Sequence, residues 1–96
     1  MAVDGELDAC TAPILAERLA DLIDAQGNLN VVLDLSATTF IDSSGLTALV
    51  TAHKALRSRG GRFAVAAPTA PVRRLLEITG LDRVLTVAQR RFSLSV

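Results

Sequence analysis

The sequence predicts a layered α/β domain: a small mixed, mostly parallel sheet with helices packed on it. Three observations predict it. Short, nearly unbroken apolar runs alternate with amphipathic stretches, as in parallel strands joined by helical crossovers. Half of the 96 residues are apolar yet only Phe40, Phe63 and Phe92 are aromatic, so Leu, Val, Ile and Ala must build the core. A chain of this length buries roughly 60–70% of the surface its unfolded form exposes, which gives room for one core and one domain over residues 1–96.

The elements follow in order. From Pro13, Leu15, Leu19, Leu22 and Ile23 recur at helical spacing, with Glu17, Arg18, Asp21 and Asp24 on the other side. Thr11 is the expected N-cap, Pro13 is harmless in a first turn, and Gly27-Asn28 ends the helix. Val31 to Leu35 reads as a central strand covered on both faces. A polar segment, Ser36 to Thr39, leads through Phe40-Ile41 into Asp42-Ser43-Ser44-Gly45, where a second helix begins. Leu46, Leu49, Val50, His53 and Arg57 share one face of that helix, and Gly60-Gly61 stops it.

Phe63 to Ala66 is a further short strand closed by Pro68. Thr69 can cap a third helix, with Val72, Leu75, Leu76 and Thr79 on one side and Gly80 at its C-terminal turn. Val84 to Ala88 is the last candidate strand. The order strand, helix, strand, helix, strand, helix, strand implies parallel pairing through right-handed crossovers. The tail Phe92-Ser93-Leu94-Ser95-Val96 alternates apolar and polar residues, a strand-like period left open.

Charge and composition exclude several functions. Ten basic and ten acidic residues cancel, so no global field draws in a polyanion or an anionic membrane. The distribution is uneven: residues 1–48 hold one Arg and eight acids, and residues 49–96 hold nine Lys or Arg and two acids. That pattern reads as solvated faces neutralising one another, or as an acidic binding face built from the first half. Basic residues lie scattered over several elements and aromatic stacking groups are scarce, which argues against nucleic-acid binding.

Cys10 is the single cysteine, which excludes an intrachain disulfide and fits a reducing compartment. The acidic start, Asp4, Glu6 and Asp8, is unlike a secretory signal, and no stretch approaches the ~20 apolar residues of a spanning helix. A soluble cytoplasmic protein is expected. One His and one Cys supply no zinc ligand set, and no Gly-rich phosphate loop is present, so neither metal nor cofactor is expected. His53, ten residues along the helix from Ser43, lies ~15 Å away and cannot serve it as a base. It reads as a partly buried packing residue, and the chain reads as no enzyme.

Ser43 follows an apolar run and opens a helix, and parallel sheets present their sites in loops leaving the C-terminal ends of their strands. The first amides of a helix lack intrahelical acceptors and favour an anion, so Ser43, Ser44 and Gly45 form a phosphate position, with Gly45 keeping the backbone approachable. Asp42 or Ser43 can also simply cap the helix, and capping is compatible with regulation.

The whole string is more informative. Asp34-Leu35-Ser36 followed by Phe40-Ile41-Asp42-Ser43-Ser44-Gly45-Leu46 resembles the central signature of STAS domains, among them the anti-anti-sigma factors, or anti-sigma factor antagonists. Gly5-Glu6-Leu7-Asp8 with Thr11-Ala12-Pro13, the Gly60-Gly61 stop, and Val72-Arg73-Arg74-Leu75 leading to Thr79-Gly80-Leu81 agree, so the resemblance covers about residues 3–88. It implies a partner-switching module. The unmodified domain binds an anti-sigma factor that is also a GHKL-type serine kinase and so frees the sigma factor. The kinase phosphorylates the serine directly after the motif's Asp, here Ser43, and a PP2C-type phosphatase reverses this. Asp8 and Asp42 match positions that support partner binding and phosphorylation, and Ser44 and Gly45 complete the expected surface. A STAS scaffold that takes no phosphate, beside a transporter or in a signalling assembly, is the competing reading.

The chain departs from the family pattern in three places. Members normally carry one more strand before the Gly-Glu-Leu-Asp segment. Its apparent lack implies a start further upstream, or an open sheet edge covered by the tail or a second molecule, as in a swapped or edge-paired homodimer. Ile14 stands where a Glu would complete a capping box with Thr11. The tail lacks the acidic helical pattern of relatives.

Overall fold

The computed structural model describes residues 1–27 and 29–88. Its elements are β1 (Gly5–Leu7), α1 (Ala12–Ala20), β2 (Asn30–Asp34), β3 (Thr38–Ile41), α2 (Ser43–Ser58), β4 (Arg62–Ala66), α3 (Ala70–Thr79) and β5 (Thr86–Ala88). A π-helical turn, Asp21–Ala25, continues α1, and a 3₁₀ turn, Leu81–Arg83, follows α3. The tail alternation at Phe92–Val96 lies outside the described residues.

Every strand ladder among the described residues is parallel: β1 with β3, β2 with β4, and β4 with β5. They fall into a two-stranded sheet, β1-β3, and a three-stranded sheet, β2-β4-β5, which residues 1–5 link. Ala2 bridges Asp34, Gly5 pairs with Thr38 and Leu7 with Ile41, so residues 1–7 run beside residues 32–41, with the register shifting between Gly5 and Glu6. Val3 N–H donates to Asp34 O at 3.1 Å and Gly5 N–H to Ala37 O at 2.9 Å, which carries the pairing across the gap between β2 and β3. The spatial order is therefore the N-terminal strand, β2 with β3 in line, β4 and β5.

The sequence reading places a polar connector at Ser36 to Thr39, where the structure has β3. Only Thr38 and Ile41 of β3 are buried; Thr39 and Phe40 are exposed, so the period of two is broken. Pairing with the N-terminal strand makes the segment extended, and that long-range partner is invisible in a local window. Thr38 is buried because its hydroxyl donates to Val3 O at 2.7 Å and its own carbonyl accepts from Thr69 Oγ1 at 2.7 Å.

The core is aliphatic, with Leu7, Leu33, Leu35, Leu49, Leu56 and Val72 fully buried. Helix α1 packs on α2, α2 on β3 and β4, and α3 on β3. Gly80 closes α3 in the left-handed conformation, as its position predicts. Thr69 stands at the N-cap of α3 but makes no side-chain cap, because its hydroxyl reaches across to Thr38 instead.

Beyond residues 1–7 no further strand lies among the described residues. The backbone groups of Ala2 and Asp4 take no part in hydrogen bonds among those residues.

Candidate functional site

Two turns emerge side by side from the C-terminal ends of the paired strands β1 and β3. Asp42 ends β3 with extended backbone and caps α2: its Oδ1 accepts from Ser44 N–H at 2.9 Å and Gly45 N–H at 3.2 Å. Asp8 follows β1, and its Oδ1 accepts from Cys10 N–H at 2.9 Å and Thr11 N–H at 3.1 Å. The Thr11 and Cys10 amides hold the Asp8 carboxyl below its ordinary range. Asp42 N–H donates to Leu7 O at 3.1 Å, which ties the two turns together.

Ser43 occupies the first position of α2, is exposed, and its hydroxyl joins no hydrogen bond among the described residues. Its carbonyl accepts from Thr47 Oγ1 at 2.8 Å, so the backbone is fixed while the side chain stays available. Ser44 is half-buried and, with Ala9, Pro13 and Thr47, lines a shallow cleft between α1 and α2. The structure thus brings Asp8, Asp42, Ser43 and Ser44 to one end of the sheet.

Three expectations change. Gly45 is buried, and a Cβ there would stand 2.6 Å from Ile41 Cγ1 and 2.8 Å from Leu7 O. The glycine lets α2 approach β1 and β3. The free helix amides expected for a phosphate are also taken, because Asp42 already occupies those of Ser44 and Gly45. Thr11 precedes α1 without capping it; its hydroxyl donates to Glu6 O at 2.7 Å and accepts from Asp8 N–H at 2.9 Å. Asp8 is the residue that organises that turn.

Sequence reasoning singled out Asp8 through the family resemblance but not the turn that its carboxylate organises, although an Asp with Thr three residues on is its signal. Nor did it single out the exposure of Phe40, a residue 47% exposed on the strand leading to the site. An aromatic in an apolar run is normally read as core. His53 lies half-buried in α2, consistent with packing.

Fold and site together define a small parallel α/β domain that presents one unengaged serine hydroxyl beside an aspartate at the mouth of a helix. The chain belongs to the STAS domain family, whose profile matches residues 1–94. It is 32% identical over 85 residues to an anti-sigma F factor antagonist of Paenibacillus polymyxa, covering 88% of this chain and 73% of that one. With an anti-sigma-B factor antagonist of Listeria monocytogenes it shares 34% over 85 residues, covering 88% and 74%. The crystal structure of an anti-sigma factor antagonist from Mycobacterium paratuberculosis superposes with a TM-score of 0.80 at 34% identity, covering 91% of this chain and 73% of the other.

Proposed function

We propose that this domain is an anti-sigma factor antagonist whose grip on its partner is set by phosphorylation of Ser43. Unmodified, it binds an anti-sigma factor that is also a GHKL-type serine kinase, and so releases the sigma factor. The kinase modifies Ser43, a PP2C-type phosphatase restores it, and the domain acts in the cytoplasm as a binding module rather than an enzyme. Asp8 and Asp42 frame the contact surface, with Ser44 on the cleft beside it.

The observation that carries this reading is the Ser43 hydroxyl, exposed and unengaged one residue after a carboxylate that has filled the helix cap. Phosphate adds about −1.5 to −2 charges. With the Ser44 and Gly45 amides taken by Asp42, that charge finds no ready donors there and sits beside an existing negative group. An interface built over Ser43 must then desolvate both. Each ~1.4 kcal/mol lost weakens the complex tenfold. Neither the core nor the strand pairing need move for this to work.

Incubation with candidate GHKL kinases and ATP, read by intact-mass spectrometry, should add one phosphate that Ser43→Ala abolishes. Titration calorimetry against the partner should show Ser43→Glu weakening the complex. If Ser43→Ala and Ser43→Glu both leave affinity unaltered, the proposal fails; a partner held with no phosphate uptake would point to the scaffold reading.

A further inference from the structure

Ser43 stands just past the end of a strand whose place in the sheet is weakly specified by apolar packing. Of β3 only Thr38 and Ile41 are buried, three residues apart, so the alternation that pins a strand to one face is missing. Its ladder with β1 also shifts register between Gly5 and Glu6. A slip of β3 would carry Ser43 with it, because only Asp42 separates the strand from α2.

A polar clamp holds the strand instead. Thr38 is fully buried, the one buried polar side chain among the described residues. Its hydroxyl donates to Val3 O at 2.7 Å on one side, and its carbonyl accepts from Thr69 Oγ1 at 2.7 Å on the other. Polar groups in a dry site must keep their hydrogen bonds, so the clamp selects one register where apolar side chains would tolerate several.

The second jaw of the clamp belongs to a helix. β4 runs beside β2 as far as Ala66, whose carbonyl accepts from Leu35 N–H at 3.0 Å. Ala67 then takes the left-handed conformation, φ 50°, uncommon for a residue with a Cβ, and buried Pro68 leads the chain out of the sheet into α3. α3 packs on β3, and Thr69, at the N-cap position, makes no side-chain cap and bonds the strand.

We propose that Thr69 is a positioning residue for Ser43: through Thr38 it fixes the register of β3, and with it the point at which the Ser43 hydroxyl meets the enzyme that modifies it. This rests on the reading of Ser43 as the phosphorylated residue. Thr69→Val keeps the side-chain shape and removes the donor; since Thr69 caps nothing, the clamp alone is lost. Thr69→Ser keeps the donor. With a GHKL kinase that phosphorylates the full chain, Thr69→Val should lower kcat at least about tenfold with KM nearly unchanged, the scale of loss when a reacting group is displaced by a fraction of an ångström, and Thr69→Ser should restore it. With no kinase present, the Ser44 and Gly45 amide resonances should move in Thr69→Val and return in Thr69→Ser. Circular dichroism checks that each variant is folded. If the unaltered chain takes phosphate and Thr69→Val takes it at the same kcat, the inference is overturned and the Ser43 reading survives. If the unaltered chain takes none, that reading fails, and amide resonances left in place by Thr69→Val overturn the register clamp as well.

Discussion

The Asp8 and Asp42 turns use the same device and end differently. In each, one carboxylate oxygen accepts the amides two and three residues on: Cys10 and Thr11 in the first, Ser44 and Gly45 in the second. The third residue decides the outcome. Thr11 uses its hydroxyl to brace Glu6 and Asp8, so that turn is locked by side chains and α1 starts only at Ala12. Gly45 has no side chain to offer, so α2 starts at once and sinks onto Leu7 and Ile41. The first turn is stabilised by bonds within itself and the second by packing beneath it, which leaves the Ser43 hydroxyl unused on top.

The comparison breaks most visibly at Gly45. Gly45→Ala sets a methyl against Ile41 and the Leu7 carbonyl, contacts that backbone must yield to, and should cost about 1–3 kcal/mol in denaturant unfolding despite better helix propensity. A neutral result would mean that α2 can shift freely over the sheet.

Next is the cap. Asp42→Ala should cost about 1 kcal/mol, because two helix amides lose their acceptor. Asp8→Ala should cost less, since Thr11 still braces its turn; the reverse order would contradict the account of how each turn is held.

Smaller still is a pH effect. The folded Asp8 carboxyl titrates below its unfolded value, so its contribution is complete above an ordinary aspartate value of about 3.9 and is lost as pH falls through the lower folded value. The Cys10 and Thr11 amide resonances should therefore move in strongly acidic solution, and Asp8→Asn should flatten that titration.

The smallest effect sharpens the comparison. Ser43→Ala should change stability by less than about 0.5 kcal/mol, because the side chain is exposed and bonds nothing among the described residues. Thermal unfolding that drops by several degrees would show that the hydroxyl is structural after all.

Much of this arrangement is legible in the amino-acid order, and what is not has a common cause. The three helices, β2, β4 and the Gly80 terminus follow from periodicity and stop signals within single windows. β3 does not, because Thr39 and Phe40 face solvent and the strand exists only through its distant partner. The Asp42 cap is readable from its neighbours. The role of Gly45 is not, since Leu7 and Ile41 beneath it come from other segments. Thr11 and Thr69 each stand where a capping hydroxyl belongs, and each bonds a strand carbonyl instead.

The parallel pairing of the described strands also fixes an order of events during synthesis. Gly5 must wait for Thr38, Asn30 for Arg62 and Ala64 for Thr86 before any of these ladders can close. Among the described residues no hairpin is available to start the sheet, so Gly5–Leu7 stays unmatched until Thr38–Ile41 has been made. The helices, whose contacts are local, can form in the interval, and the two aspartate turns take their shared geometry only once residue 42 has emerged.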